Sequence, residues 1–305
     1  GGFTVHTTIL AEAQNAAYAA LRESLLRAES RPGYAHEKHD PQRKLTEKPA
    51  NFLQGAVLMV DHGTGEVLAH VGGRDYAQVP YDFIELGRRP LGTAFFPFIY
   101  AAGFENGMTP VSMTEDEPMD NRSVMVGGRE GILGEWGMEL ASPVYEGRIT
   151  LRRAFEQSKI AATVRLTDRI GLKRVVDKAV DFGFPFGKSE LLPRLGVGFE
   201  EASLKQAARA ISAFPRGGTF PSESLAYIDR VENPKGQTVY RRPRQAAGEP
   251  RAVIAPATAW QVHSMMAGSL YRGSSKGVLD GLAEKPFQGA GKGGTTHDFG
   301  DCWFM

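Results

Sequence analysis

Thr93 is the first residue whose type and position in the chain suggest chemistry. It follows Gly92 and precedes an apolar run, residues 95–100, that predicts a buried helix beginning near the threonine. The free backbone N–H groups and the dipole at a helix N-terminus favour negative charge that develops on a nearby oxygen. Position 96, occupied by Phe96, lies about one turn further on and shares that helical face. The hydroxyl is therefore either a reacting group or a helix N-cap.

Ser158 and Lys292 are two later residues of types that take part in acyl and proton transfer. Ser158 lies at the break between two helical patterns, where a helix-end serine is the simpler interpretation. Lys292 lies in the segment GAGKGGTTHDFGDCWF. This lysine precedes the glycine pair instead of following it, so the segment is not a Walker phosphate loop.

Composition excludes several classes of function. A chain of 305 residues, 42% hydrophobic, is long enough for one large domain or two smaller ones. A formal net charge of +1 gives no electrostatic case for nucleic acid. The single cysteine, Cys302, excludes an intrachain disulfide framework and a cysteine-based metal site. His36 and His39 have no third ligand nearby in the sequence, so we predict a solvated loop, no metal and no cofactor.

The elements that must position these side chains follow from hydrophobic periodicity and turn signals. Apolar spacing predicts amphipathic helices, and DHGTG between two β-rich runs predicts a hairpin. A charged, proline-bearing connector spans residues 30–50, and residues 114–147 are polar and glycine-rich. Helices are predicted over 8–28, 172–181 and 203–214 and from Pro256 through Met266, and hairpins over 55–71 and 225–246.

The run around Thr93, RRPLGTAFFPFIY, resembles the R-x-P-G-S-x-F-K-P-F segment of penicillin-binding transpeptidases. These are serine acyltransferases that cross-link peptidoglycan. In that family the serine is the nucleophile and the lysine three residues on activates it. The resemblance places Thr93 at the serine position and Phe96 at the lysine position.

Other segments extend the resemblance over nearly the whole chain. The opening GGFTVHTT is similar to the start of the transpeptidase domain in bifunctional murein synthases, and AVLMVDHGTGEVLAHVGG is similar to the family's first hairpin. At the family's S-x-N motif Ser158 matches, whereas Ile160 replaces the asparagine. At its K-T-G motif Lys292 matches, whereas Gly293 replaces the threonine. The resemblance implies that Lys292, Thr295 and Thr296 are substrate-binding positions.

The family implies an α+β fold, a mainly antiparallel sheet flanked by helices with an all-helical lobe, as in DD-peptidases and serine β-lactamases. We expect an N-terminal helix and charged connector over 1–50 and a transpeptidase-like domain over 51–305. Its sheet part would comprise 51–92 and 220–305, built from the early hairpin and the late Lys292 strand, and its helical lobe would comprise 93–219. The abrupt start at Gly1 and the apolar end lead us to expect the interior of a longer protein, with the domain truncated C-terminally.

These substitutions predict a domain with no intact catalytic set. Acyl transfer needs a base beside the hydroxyl, and Phe96 supplies none. We therefore expect a catalytically inactive transpeptidase-like domain of a cell-envelope peptidoglycan synthase homologue, with a structural or regulatory role. We also expect Phe96 to be buried in a narrower, more apolar cleft than that of an active enzyme.

Two alternatives remain open on the sequence alone. The first is a weakly active D,D-transpeptidase or penicillin-binding acyltransferase that uses Thr93, with Lys292 as a base from the opposite wall. The second is a binding module for peptidoglycan stem peptides, in which Lys292 and Thr295 engage a carboxylate.

The resemblance also implies surroundings for the protein. The expected partners are peptidoglycan or other cell-envelope proteins, with a glycosyltransferase domain upstream in the full-length protein. The expected location is extracytoplasmic, on the periplasmic face, with an inner-membrane anchor in a segment absent from this chain. No stretch of 18 apolar residues is present, so contact with a membrane would come only through such a segment.

Overall fold

A computed structural model describes residues 2–43, 50–119, 144–220, 225–243, 250–280, 288–296 and 300–305. Helices and short antiparallel ladders alternate along the chain, which gives the α+β class that the sequence predicts. The helices are α1 (Ala11–Glu29), α2 (Phe96–Glu105), α3 (Leu151–Glu156), α4 (Ile160–Ile170), α5 (Leu172–Asp181), α6 (Leu204–Ile211) and α7 (Pro256–Arg272). The strands are β1 (Thr4–Thr7), β2 (Val57–Val60), β3 (Val67–Val71), β4 (Arg89–Pro90), β5 (Met113–Asp116), β6 (Gly147–Thr150), β7 (Glu201–Ala202), β8 (Thr219–Phe220), β9 (Ile228–Glu232), β10 (Thr238–Arg241), β11 (Arg251–Ala252), β12 (Gly293–Thr295) and β13 (Cys302–Phe304).

The chain divides into two compact units, each assembled from three segments. The first comprises Gly1–Arg88, Ser203–Ala208 and Pro221–Arg251, and the second comprises Arg89–Ala202, Arg209–Phe220 and Ala252–Met305. The predicted division into residues 1–50 and 51–305 stays a prediction.

The first unit contains the two predicted hairpins. Strands β2 and β3 pair antiparallel, with Val57 opposite Val71. At the turn the Asp61 side chain accepts hydrogen bonds from the backbone N–H groups of Gly63 and Thr64, both at 2.8 Å. Such an aspartate turn is what DHGTG predicts, because short acidic side chains bond the backbone two and three residues on. The second hairpin, β9–β10, is joined by β1 to give the order β1-β9-β10.

Helix α1 closes the outer edge of strand β3. The Gln14 carboxamide donates to the carbonyl of His70 at 2.8 Å and accepts from its N–H at 2.7 Å. The N–H of Leu10, just before the helix, donates to Leu68 O at 2.9 Å. One side chain and one backbone group thus take hydrogen bonds that a neighbouring strand would otherwise form.

This closure corrects one expectation about the sheet. We expected the early hairpin and the late Lys292 strand to belong to one sheet. In the described residues β3 pairs with β2, and the Lys292 strand, β12, pairs with β13, in separate ladders. Within the first unit the free edge of β3 is occupied by Gln14 of α1, by Leu10 and, at the start of the strand, by Ala226.

A buried ion pair joins the end of α1 to the segment that follows β3. Arg74 Nη2 donates to Glu29 Oε2 at 2.8 Å, and both side chains are almost fully buried. The backbone N–H of His39 also donates to Glu29, at 3.1 Å, while the His39 ring contacts Asp75. The connector residues that are described, 30–43, are nevertheless mostly exposed, and the contacts of His39 are local ones. Within the described ranges no three histidine, cysteine or acidic side chains are grouped to hold a metal ion.

The core of the second unit is rich in phenylalanine. Helix α2 is buried from Phe96 to Phe104, as expected for a helix that is apolar all round. Phe98 packs edge-on against Phe182 and Phe184, with ring centroids 4.9 and 4.8 Å away. A fully buried phenylalanine contributes roughly 1.5–3 kcal/mol. This core fixes α2, and with it the turn that precedes the helix.

The other predicted helices are present, with ends that differ by a few residues. The predictions over 8–28, 172–181 and 203–214 correspond to α1, α5 and α6, and Pro256 begins α7. The region predicted as an irregular excursion, 114–147, is bounded by a ladder that the sequence did not reveal, β5–β6. Residues 120–143 of that region lie outside the described residues, as do 244–246 of the predicted second hairpin. No helix in the described ranges has both the length and the apolar character needed to cross a membrane.

Candidate functional site

Thr93 lies in a short 3-10 turn, Gly92–Phe95, that leads directly into α2. Its hydroxyl is not a helix N-cap, because the turn begins after Leu91 and has no side-chain cap. The Thr93 Oγ1 atom instead donates to the carbonyl of Gly293 at 3.2 Å. The N-cap alternative is therefore wrong, and the threonine faces strand β12.

Two glycines allow this turn and β12 to approach closely. Gly92 has φ +55°, and a Cβ there would lie 2.5 Å from the carbonyl oxygen of Thr295. A Cβ at Gly294 would lie 2.4 Å from the backbone nitrogen of Ala94. Real carbon atoms do not approach so closely, so both positions need glycine. The glycines of the two motifs thus set the distance between Thr93 and the Lys292 segment.

Lys292 is fully buried, and its ammonium is surrounded by oxygen atoms. The Nζ atom donates to Ser158 Oγ at 2.7 Å and to Gly293 O at 2.8 Å, and it lies 3.4 Å from Thr93 Oγ1. None of the salt bridges among the described residues involves Lys292. Burial without a counter-charge lowers the pKa of Lys292 to about 7, because desolvation disfavours the charged form.

Ser158 lies in the turn between α3 and α4, as predicted. Its φ is +54°, the one positive value at a non-glycine residue in the described ranges. The Ser158 hydroxyl contacts Lys292 Nζ and also lies 2.7 Å from Ser274 Oγ. It is therefore more than a helix-end serine, because its side chain is aimed into the site.

The structure brings the six predicted site positions into one unit and shows what the substituted residues do. Phe96 is fully buried, as predicted; its ring centre lies 5.2 Å from Lys292 Nζ and 6.1 Å from the Tyr100 ring. Ile160 begins α4 and packs against a small apolar cluster formed by Ala161 and Val164. Both replacements have apolar partners.

Gly293 differs from the other two substituted positions, because space remains around it. A Cβ at Gly293 would have Ser275 Oγ as its nearest neighbour, at an ordinary distance of 3.4 Å. A Cβ therefore fits at Gly293, unlike at Gly294 on the same strand.

The predicted substrate-binding positions have different exposures. Thr295 is exposed on β12, whereas Thr296 is buried and accepts a hydrogen bond from the Asp301 N–H at 3.0 Å. Lys292 is buried as well, so Thr295 is the solvent-facing member of the three.

Sequence reasoning missed the hydroxyls that follow α7. Ser274 contacts Ser158, and Ser275 accepts a hydrogen bond from the Gly293 N–H at 3.1 Å. The only signal was a pair of serines after a predicted helix end, which is a common pattern at helix ends.

Comparisons with known proteins agree with this geometry. A family model described as "Penicillin binding protein transpeptidase domain" matches residues 55–302. The penicillin-binding protein 1A of Neisseria flavescens is 31% identical over 256 residues, which cover 83% of this chain and 31% of that protein. The chain thus spans about a third of the length of that curated relative.

Solved structures show the same fold. The penicillin-binding protein 1A of Haemophilus influenzae matches with a TM-score of 0.76 at 19% identity, over 99% of this chain and 60% of that one. Penicillin-binding protein A of Mycobacterium tuberculosis, solved as a penicillin G acyl-enzyme complex, matches with a TM-score of 0.70 at 18% identity, over 96% of this chain and 67% of that one.

Proposed function

The chain belongs to the penicillin-binding protein transpeptidase family, and we propose that it is a member that does not cross-link peptidoglycan. Its role is then structural or regulatory, within a homologue of the peptidoglycan synthases. The observation that supports this most directly is the environment of Phe96. Its side chain is a fully buried ring, so the residue one turn after Thr93 on α2 supplies no amine.

The surroundings of Thr93 support the same proposal. A hydroxyl becomes a good nucleophile when a base within hydrogen-bonding distance takes its proton. The Thr93 hydroxyl donates to a backbone carbonyl, and the amine of Lys292 lies 3.4 Å away. The β-methyl group of threonine also restricts its rotamers.

The exchange of polar for apolar residues supports a structural role. Phe96 and Ile160 stand where the family motifs have a lysine and an asparagine, and both pack against apolar or aromatic neighbours. Burying a polar group without hydrogen-bond partners destabilises a fold, whereas burying an apolar side chain of similar size stabilises it. A site released from catalysis favours such residues.

Weak acylation through Thr93 is the second candidate, and Lys292 is the reason to keep it. Its Nζ atom is 3.4 Å from Thr93 Oγ1, and burial lowers its pKa to about 7, so a neutral amine is present near neutral pH. A stem-peptide binding module is the third candidate, for which the exposed Thr295 beside Lys292 is the relevant feature.

The wider assignment is also a proposal. Because the chain spans about a third of a relative named penicillin-binding protein 1A, the full-length protein would carry a glycosyltransferase domain upstream. It would lie on the periplasmic face of the inner membrane, anchored by an N-terminal segment, with peptidoglycan or envelope proteins as partners.

Transpeptidation assayed with peptidoglycan stem peptides tests the proposal. We expect no cross-linked product above the background of the Thr93→Ala variant, measured by mass spectrometry. A product that forms with the wild type and disappears in Thr93→Ala would show a working threonine and overturn the proposal. Titration with the same peptides separates the third candidate, since saturable binding abolished by Lys292→Ala favours a binding module.

A further inference from the structure

The hydroxyl that Lys292 contacts most closely belongs to Ser158, not to Thr93. Ser158 Oγ lies 2.7 Å from Nζ, whereas Thr93 Oγ1 lies 3.4 Å away. A general base needs a heavy-atom separation of about 2.6–3.2 Å from the group that it deprotonates. Thr93 in addition directs its proton to Gly293 O, at 3.2 Å. Lys292 is therefore placed as the partner of Ser158.

The backbone of Ser158 is held in a conformation that few residues adopt. With φ +54° it lies in the left-handed region, which costs energy for any residue with a Cβ. The conformation is maintained by the turn between α3 and α4, in which Ser158 N–H donates to Phe155 O at 3.1 Å and Lys159 N–H to Ala154 O at 2.8 Å. Strained residues that the surroundings over-determine cluster at functional sites.

The Ser158 hydroxyl lies next to an exposed residue, Ser274. Ser158 is half-buried and Ser274 is exposed, with their oxygens 2.7 Å apart. Lys292 lies behind them and is fully buried. The arrangement is an accessible hydroxyl in front of a buried amine.

The surroundings of Lys292 favour a base over a fixed ammonium. Gly293 O accepts one of its protons at 2.8 Å, and no ion pair with a described carboxylate holds a further one in place. The side chains next to Nζ are the hydroxyls of Ser158 and Thr93 and the ring of Phe96. Desolvation lowers the pKa of Lys292 to about 7, so the free amine is a major species at neutral pH.

We propose that Ser158, activated by Lys292, is a nucleophile that accepts an acyl group from strained cyclic amides such as the β-lactam ring of penicillin. Ser158 Oγ attacks the lactam carbonyl carbon while its proton passes to Lys292 Nζ. The carbon–nitrogen bond then breaks, and the departing ring nitrogen takes the proton back from Lys292. The products are an ester on Ser158, an opened ring and a regenerated amine.

This inference goes beyond the proposed function and uses a different side chain. A single acylation of Ser158 does not cross-link peptidoglycan, so it is compatible with the proposed function. It rests on the membership of the penicillin-binding family only for the choice of penicillin G as the probe, which a structural relative binds as an acyl-enzyme.

Peptide mapping by mass spectrometry, after incubation of the purified chain with penicillin G, locates the adduct. The variants are Thr93→Ala, Ser158→Gly and Lys292→Met, with Ser24→Ala as a control at an exposed serine on α1. Glycine is chosen at 158 because it adopts a positive φ without strain, so the variant removes the hydroxyl and keeps the turn. Circular dichroism establishes that each variant is folded.

We expect one penicillin on the peptide that contains Ser158, in the wild type, Thr93→Ala and Ser24→Ala. The adduct should disappear in Ser158→Gly, and its rate should fall by about 10²-fold or more in Lys292→Met. The wild-type rate should rise across pH 6 to 8 and then level off, about the pKa near 7.

The remaining outcomes overturn the inference in distinguishable ways. No adduct on folded wild-type protein would refute acylation of Ser158 and leave the proposed function intact. An adduct on Thr93, lost in Thr93→Ala, would refute the assignment to Ser158 and favour the second candidate function, weak acylation through Thr93. An adduct that survives in Ser158→Gly would refute the assignment to Ser158, even if Lys292→Met fails to fold.

Discussion

The Nζ atom of Lys292 lies 5.2 Å from the centre of the Phe96 ring, so an aromatic face stands where the family motif has a second lysine. An ammonium above an aromatic face gains roughly 0.5–2 kcal/mol, the more so when it is desolvated. A lysine at position 96 would repel Lys292 instead. The substitution therefore removes a base and places beside Lys292 a ring that favours its charged form, against a larger effect of desolvation that lowers the pKa of Lys292 to about 7.

Phe96→Ala should lower the free energy of unfolding by about 3–5 kcal/mol, because it removes a fully buried ring and leaves a cavity. Urea denaturation followed by circular dichroism measures the change. Trp260→Ala is the matched control: this aromatic residue on α7 is 69% exposed, and its loss should change stability by less than about 0.5 kcal/mol. Similar effects of the two substitutions would contradict the burial of Phe96.

Lys292 should make stability depend on pH. Its folded pKa, about 7, lies below the ordinary 10.5. Between these two values the unfolded chain therefore binds more protons than the folded chain. Burying the ammonium destabilises the fold most strongly below pH 7, and this destabilisation decreases as the pH rises towards 10.5. The Lys292→Met variant has no ammonium at this position and so lacks this destabilisation. The free energy of unfolding of Lys292→Met, relative to that of the wild type, should thus fall between pH 6.5 and 9.5. A constant difference between the two proteins over this range would refute the lowered pKa of Lys292.

Two adjacent glycines should respond differently to alanine. At Gly294 a Cβ would lie 2.4 Å from the Ala94 nitrogen, whereas at Gly293 its nearest neighbour is Ser275 Oγ at 3.4 Å. Gly294→Ala should cost about 1–3 kcal/mol or more through overpacking, and Gly293→Ala should stay within about 0.5 kcal/mol. Thermal unfolding compares the pair. Equal tolerance would mean that β12 and the turn of Thr93 are further apart than described.

Glu29→Gln should destabilise the first unit by about 3–5 kcal/mol, because it leaves the buried Arg74 without its counter-charge. The hydrogen bond from Arg74 holds the pKa of Glu29 below its usual value, so the pair stabilises the fold above about pH 4.5 and loses this effect as the pH falls. Glu23→Gln, at an exposed pair with Arg27 on the same helix, should change stability by less than about 0.5 kcal/mol. The measurement is denaturant unfolding at pH 7 and at pH 4. The difference in unfolding free energy between the two variants should be smaller at pH 4, and an unchanged difference would count against the ion pair.

Local patterns predicted the parts of the site that depend on neighbours in sequence. The apolar run after Thr93 was enough to predict that Phe96 is buried, because a helix apolar on every face has no solvent side. The turn at Ser158 was likewise visible as a break between two helical periods. The family motifs then indicated which of these residues belong together.

Contacts between residues distant in sequence, and contacts with the backbone, could not be predicted from local sequence patterns. Nothing in the sequence specifies that Thr93 donates to a carbonyl, since every residue carries one. The preference of Lys292 for Ser158 over Thr93 is a difference of less than 1 Å, which depends on packing. The β5–β6 ladder was missed because its strands are four residues long and partly charged.

The closed edge of β3 bears on how the protein behaves in concentrated solution. Exposed strand edges recruit strands from other molecules, and proteins with such edges tend to aggregate. Here the side-chain amide of Gln14 forms the hydrogen bonds to His70 that a neighbouring strand would form, and the backbone N–H of Leu10 bonds Leu68 in the same way. Trimming the first fourteen residues would therefore open a template for intermolecular pairing, so a shortened chain should aggregate even if its core is unchanged.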